Sequence, residues 1–251
     1  MSPTRQELTG PTRQPLAHRE RIDWHFHTVN QLICPGRGVL EVSTPQGGWA
    51  VPAHRGVWLP AGVPHAHRAH GPSELRSLSF PAEVNPLALN RPTVLAVSRL
   101  LWEVVEVMSG PEPPQGEQFR ALERVALDQL CRAPALGLEL PTPSDPRLRD
   151  LADLLAADPA DDRTLARLGA AVGASERTLS RLFRQETGMS FPQWRAQLRL
   201  HRALTLLAAG RSVTSVAAAC GWSSPSSFVE SFRKAFGTTP GRHQREGGPL
   251  R

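Results

Sequence analysis

Residues 213–243 read VTSVAAACGWSSPSSFVESFRKAFGTTPGRH, and residues 165–194, LARLGAAVGASERTLSRLFRQETGMSFPQW, say nearly the same thing about 49 positions earlier. Each copy opens with a short apolar run, at 165–172 or 213–220, that stops at Gly173 or Gly221, a residue able to take positive φ in a turn. A second helix is predicted to follow. Ser175 and Ser224 stand where an N-cap is wanted, and Pro225 suits a first helical position because its missing amide has no partner there anyway. Leu179, Leu182 and Phe183 in one copy, and Phe228, Phe232 and Phe236 in the other, follow helical spacing and must face a core. The pattern therefore predicts two helix-turn-helix units.

The faces left outward carry Arg177, Ser180, Arg181 and Arg184 in the first unit, and Ser226, Ser227, Glu230, Arg233 and Lys234 in the second. Arginine can donate two bonds to guanine, serine is adaptable, and a carboxylate accepts from the cytosine amino group, so these faces suit the major groove. A solvated charged surface is the bland alternative, and a single unit would not exclude it. Between the units, residues 191–209 are predicted to form one helix, with Trp194, Leu198, Ala203, Leu206 and Leu207 apolar and Gly210 ending it. At 1.5 Å per residue such a spacer spans roughly 28 Å and would set two recognition helices about one DNA turn apart. Charge follows the repeats: residues 146–251 hold 16 basic and 9 acidic side chains, against 13 and 14 in residues 1–145. That asymmetry is the electrostatic footprint of a nucleic-acid module.

With Val216, Ala217, Ala218, Ala219, Cys220, Gly221 and Trp222 followed by Ser226, Phe228, Phe232, Arg233, Phe236, Gly237, Thr239 and Pro240, the chain resembles the AraC/XylS family of bacterial transcription regulators. The resemblance covers about residues 146–245. It implies base-reading roles for Arg177, Ser180 and Arg181 in the first unit and for Pro225, Ser226 and Glu230 in the second. It departs at His243 and Gln244, where relatives carry an aromatic residue and then arginine. The partners it implies are double-stranded DNA, a small-molecule or metal effector, a second copy of the chain and, for an activator, RNA polymerase.

Ahead of this module the texture changes. The fold class expected is α+β in two domains: an N-terminal cupin-like β-barrel or jelly roll with helices, and a C-terminal all-α domain with two helix-turn-helix units. Residues 1–19 are expected to be a disordered tail, 20–133 a sensor barrel plus dimerisation helices, 134–146 a proline-rich linker, 147–246 the DNA-binding domain and 247–251 a tail. Short segments at 31–34, 39–42, 57–59 and 75–80, separated by turn clusters such as Pro35-Gly36 and Gly71-Pro72, predict strands. Two amphipathic helices are predicted between 92 and 133. One carries Leu95, Leu100, Leu101, Val104, Val105 and Met108, and the other Phe119, Leu122, Val125, Ala126 and Leu130. Their apolar faces are wide enough to bury against the barrel and a second subunit.

His25 and His27 alternate on a predicted strand and so can share a face; Gln31 follows, and His65 comes after Pro60-Ala61-Gly62-Val63-Pro64. This resembles the two cupin motifs, and it implies a divalent metal (nickel, zinc, cobalt or iron) on His25, His27, Gln31 and His65, with glutamine standing where that family has glutamate. Packing, or binding of an organic ligand, is the competing reading of these histidines. Trp24, Trp58 and His67 are expected to line an effector pocket, and His70 to lie in a surface turn. Cys34, Cys131 and Cys220 sit among apolar neighbours in no pairing or zinc pattern, so buried thiols and no disulfide are expected. Residues 1–14 lack an apolar run and no stretch is long enough to span a bilayer, which points to a cytoplasmic protein. Two functions compete: a one-component transcription regulator whose barrel senses a small effector or metal, and a cupin-type metalloenzyme with an accessory helical domain. No carboxylate with a motif assignment accompanies the candidate ligands, which argues against the enzyme.

Overall fold

A computed structural model describes residues 2–246, in which the chain divides into two compact units, 2–45 with 49–137 and 46–48 with 138–245. In the first unit the strands are β1 (Thr4–Arg5), β2 (Thr12–Leu16), β3 (Arg21–Phe26), β4 (Asn30–Pro35), β5 (Val39–Thr44), β6 (Gly47–Pro52), β7 (Arg55–Leu59), β8 (His65–His70), β9 (Ser73–Phe80) and β10 (Thr93–Ala96). Helices α1 (Arg99–Met108) and α2 (Gly116–Cys131) follow, and then β11 (Ala135–Leu136). One sheet runs β1-β3-β8-β5-β6 and the other β11-β10-β7-β4-β9-β2. The chain changes sheet between β4 and β5, β6 and β7, β7 and β8, and β8 and β9, at turns where Gly38, His54, Gly62 and Gly71 take φ between +61° and +80°. Each crossing breaks the hydrogen-bond ladder, so the sheets do not close. The arrangement is the double-sheet alternative to the expected barrel.

Residues 4–5 and 12–16, expected to be part of a disordered tail, are strands. Thr4 and Arg5 pair in parallel with His25 and Phe26, and residues 12–16 pair antiparallel with 73–77, where the Thr12 and Ser77 hydroxyls bond at 2.7 Å. An existing sheet edge supplies the partners, so a polar segment with one buried side chain, Leu16, is ordered without a core of its own. Leu95, expected on a helix, lies in β10 opposite Gly56. The helix begins only at Arg99, where the Ser98 hydroxyl accepts from the Leu101 amide. Leu101, Val104, Val105 and Met108 of α1 and Ala126 and Leu130 of α2 bury against Leu32, Cys34, Trp58, Leu78, Phe80 and Leu95. Leu100 and Val107 stay about half exposed on α1. Burial pushes the Cys34 thiol up to about 12 and the Cys220 thiol up to about 11, so both are protonated and inert. Cys131, expected buried, is exposed at the end of α2.

The second unit comprises β12 (Glu139–Pro141) and helices α3 (Pro146–Ala157), α4 (Leu165–Ala171), α5 (Glu176–Thr187), α6 (Phe191–Ala208), α7 (Val213–Ala219), α8 (Pro225–Phe236) and α9 (Pro240–Glu246). The expected linker at 134–146 therefore contains β11 and β12 rather than free coil. The expected tail at 247–251 lies outside the described residues. Among those residues, no helix is long and apolar enough to cross a membrane.

Candidate functional site

The helical unit is assembled around α6. On one side Leu148, Leu151 and Leu155 of α3, Leu165 and Leu168 of α4, Leu179, Leu182 and Phe183 of α5, and Phe191, Trp194 and Leu198 of α6 form one core. Phe183 stacks obliquely on Phe191 and Trp194 at 5.4 and 5.6 Å between ring centres. On the other side α7 and α8 pack through an aromatic series, Trp222–Phe228–Phe232–Phe236, at 4.6, 5.7 and 4.4 Å. The repeat in the sequence is thus a repeat in structure, two helix-turn-helix units sharing one linking helix.

Local chemistry sets each unit. Ser175, Ser212 and Ser224 accept from the amides of Thr178, Ser215 and Ser227, capping α5, α7 and α8. Gly173 and Gly221 turn the chain at φ +66° and +73°. Gly169, which periodicity alone does not single out, has the Ala174 carbonyl against the position a methyl would occupy, so α4 and α5 can approach this closely only because residue 169 has no side chain. Its signal was a glycine inside a short apolar helix. Ala217 fills the corresponding buried place in α7.

Arg199 is the other residue that pattern reading passed over. Its guanidinium donates to the carbonyls of Pro159 (2.8 Å), Gly221 (2.9 Å) and Asp161 (3.1 Å), fastening the second unit's turn to the loop before α4. Burial, reinforced by the neighbouring Arg195, lowers its pKa from the usual arginine value, yet an arginine remains charged there.

Most of the residues expected to face outward are exposed, and two are not fully so. Arg177, Arg181 and Arg184 are exposed and Ser180 half-buried, sharing an arc of about 100° of α5 at 3.6 residues per turn. Arg181 donates to Gln185 at 2.7 Å, which holds it extended along the helix. On α8, Pro225, Ser226, Glu230, Arg233 and Lys234 are exposed and line one shallow groove with Val229. Ser227 is set apart: its hydroxyl donates to the Ser224 carbonyl at 2.8 Å and accepts from the Ser224 amide, closing the cap. Linking helix α6 spans 18 residues, about 27 Å at 1.5 Å per residue.

In the first unit the three histidines come together. His25, near the end of β3, is the register partner of His65, at the start of β8. His27 follows β3, where the Gly62 amide donates to its carbonyl at 2.7 Å. All three are buried, with one ring nitrogen of each lying within 4.8 Å of the others. The Nδ1 atoms face the carbonyls of Asp23 (2.7 Å), Gln6 (2.8 Å) and Val63 (2.9 Å). A carbonyl only accepts, so each Nδ1 carries the proton and each Nε2 keeps its lone pair. Burial keeps the rings neutral, lowering the pKa of His25 and His27 and drawing that of His65 down to about 3. His65 Nε2 and Gln31 Oε1 are buried with no hydrogen-bond partner among the described residues.

A cavity of about 290 Å³ adjoins, bordered by Gln6, Leu8, Arg13, His25, His27, Gln31 and His67 among others. His67, expected beside an effector, borders this cavity. Trp24 and Trp58 do not line this cavity. Trp24 neighbours His25 on a strand where successive side chains point to opposite faces, and Trp58 packs on Phe80 at 5.8 Å beneath the helices. His70, expected in a surface turn, ends β8 and bonds Glu41 at 2.6 Å.

Residues 168–246 match the helix-turn-helix domain family. NimR, an HTH-type transcriptional regulator of Escherichia coli K12, is 34% identical over 224 residues, covering 87% of this chain and 81% of that protein. RipA, an HTH-type transcriptional regulator of Corynebacterium glutamicum, is 39% identical over 100 residues, covering 40% of this chain and 30% of that one. A crystal structure of a Chromobacterium violaceum transcriptional regulator with an AraC-type DNA-binding domain is 30% identical and covers 42% of this chain and 96% of that chain, with a TM-score of 0.39. Similarity to a regulator along most of both chains, joined to two helix-turn-helix units on one linking helix, means that this chain belongs to the AraC/XylS family of DNA-binding transcriptional regulators and is not an enzyme.

Proposed function

We propose that this regulator reads an operator with α5 and α8 in successive major grooves, in the cytoplasm, as a homodimer that responds to a small effector held in the first unit. The observation that carries the reading is the matched pair of exposed faces, Arg177, Ser180, Arg181 and Arg184 on α5 and Ser226, Glu230, Arg233 and Lys234 on α8. They stand on helices whose opposite sides are buried, which orients this face for a base edge. Arg181 and Arg177 suit guanine, and Glu230 suits the cytosine amino group. Arg184, Arg233 and Lys234, nearer the C-terminal ends of their helices, suit phosphates. Pro225 starts α8 and shapes the entry of that helix rather than donating to a base. The exposed Leu100 and Val107 on α1 suit a second copy of the chain. Where the protein activates, RNA polymerase is a further partner.

Arg181→Ala is expected to weaken binding to a selected operator by about 1–3 kcal/mol and to relax preference at one base pair. Fluorescence anisotropy on the operator and its single-base variants measures this. An equal loss on every sequence would instead make Arg181 a phosphate contact and remove it from base reading.

A further inference from the structure

We infer that Val229 of α8, with Pro225 beside it, is a further specificity-determining residue: an apolar notch that takes the 5-methyl group of a thymine in the operator box read by the second unit. The inference rests on the reading of α8 as a recognition helix. The internal repeat identifies the place. From the caps Ser175 and Ser224 onward the two copies run 49 residues apart, so Arg177, Ser180, Arg181 and Arg184 of α5 correspond to Ser226, Val229, Glu230 and Arg233 of α8. Three of those four α8 residues already carry a DNA contact, and Val229 is missing only because periodicity counts an apolar residue as core. Burial follows the same correspondence. Ser180 and Val229 are both half-buried, Arg177, Arg181, Ser226 and Glu230 are all exposed, and Leu179 and Phe228 are both buried.

Chemistry decides what the notch takes. Phe228, Phe232 and Phe236, at most 4% exposed, fill the inner side of α8, whereas Val229 keeps part of its surface on the outer groove with Pro225, Ser226, Glu230, Arg233 and Lys234. Pro225 and Val229 are one helical turn apart, so the pyrrolidine ring and the isopropyl group adjoin. Neither side chain can exchange a hydrogen bond, and valine is a poorer helix former than alanine, so neither polarity nor helix propensity accounts for it here. In the major groove thymine alone presents a hydrocarbon group, its C5 methyl, and an apolar side chain is the complement. With Ser226 and Glu230 bonded to base edges and Arg233 and Lys234 on phosphates, a methyl seated at Val229 loses its water at the centre of the contact. Cytosine, which lacks that methyl, would leave the notch empty.

Deoxyuridine is the probe, replacing one thymine at a time in a selected operator, because uracil keeps every hydrogen-bonding group of thymine and lacks only the methyl. Binding to the full-length protein is followed by fluorescence anisotropy. One position in the box read by α8 is expected to lose about three- to fivefold in affinity, the worth of one buried methyl group. Val229→Ala should bind the thymine operator about as weakly as the unaltered protein binds the uracil one, and should be indifferent to uracil at that position. Val229→Ser, which copies Ser180, should be equally indifferent, with recognition of the other box unchanged. The uracil series on the unaltered protein involves no variant, so misfolding cannot imitate its result. Uracil tolerated at every thymine of that box, or a uracil penalty that persists in Val229→Ala, would overturn the notch while leaving the cytosine preference of Glu230 to stand. A single box in the selected operator is a different failure, that of α8 as a reader, and it would take the notch with it.

Discussion

Trp194→Ala should destabilise the helical unit by about 3–5 kcal/mol and abolish operator binding at 37 °C, because a large side chain at the centre of a closed core leaves a cavity that cannot collapse. Trp194 is 1% exposed, stacks on Phe183 and donates from Nε1 to the Pro141 carbonyl at 3.4 Å. It sits on α6 and fills the core under α5, so its loss frees the first recognition helix from the element that aims it. Urea titration followed by tryptophan fluorescence and circular dichroism reads the effect. An unchanged midpoint would show that α5 is held by other contacts.

Arg199→Ala comes next, with an expected cost of about 2–4 kcal/mol, since three carbonyls lose a charged donor in a half-buried place. The loss is directional. Gly221 begins the turn into α8, so the second unit should lose operator contact while the first keeps its fold. Arg199→Lys is expected to rescue only part, because an ammonium on a single stem cannot reach three separate carbonyls in the guanidinium plane. Protection of the amides of residues 213–236 from hydrogen exchange separates the cases. Full protection in the alanine variant would mean that the aromatic series Trp222, Phe228, Phe232 and Phe236 suffices without the clamp.

What could be read from the chain was local. Caps at Ser175 and Ser224, apolar stripes on α5 and α8 and the turns at Gly173 and Gly221 are all written within a few residues, and each lies where its spacing put it. The histidine cluster was partly legible for the same reason: His25 and His27 are two residues apart, one near the end of β3 and one just past it, and the turn before His65 announces a second strand. Its hydrogen bonds to Gln6 and Val63 were not, because they join residues through folding alone.

Partners distant in sequence hid the rest. Strand β2, TRQPL, carries no alternation of its own and exists because β9 offers an edge. Strand β8, HAHRAH, does alternate, but with histidines in the buried places, so a count of apolar residues misses it. Arg199 is one arginine in an arginine-rich helix until three carbonyls surround it. Trp58 was indistinguishable from a pocket residue until α1 and α2 closed over its side of the sheet.

Two helices on one spacer should read one operator. Selection of bound duplexes from a randomised 40-base-pair pool by the full-length protein tests it most directly, with Arg181→Ala and Glu230→Ala selected in parallel. Two enriched boxes about one helical turn apart are expected, with Arg181→Ala blurring one box and Glu230→Ala the other. A single box, or enrichment that neither substitution alters, would contradict it.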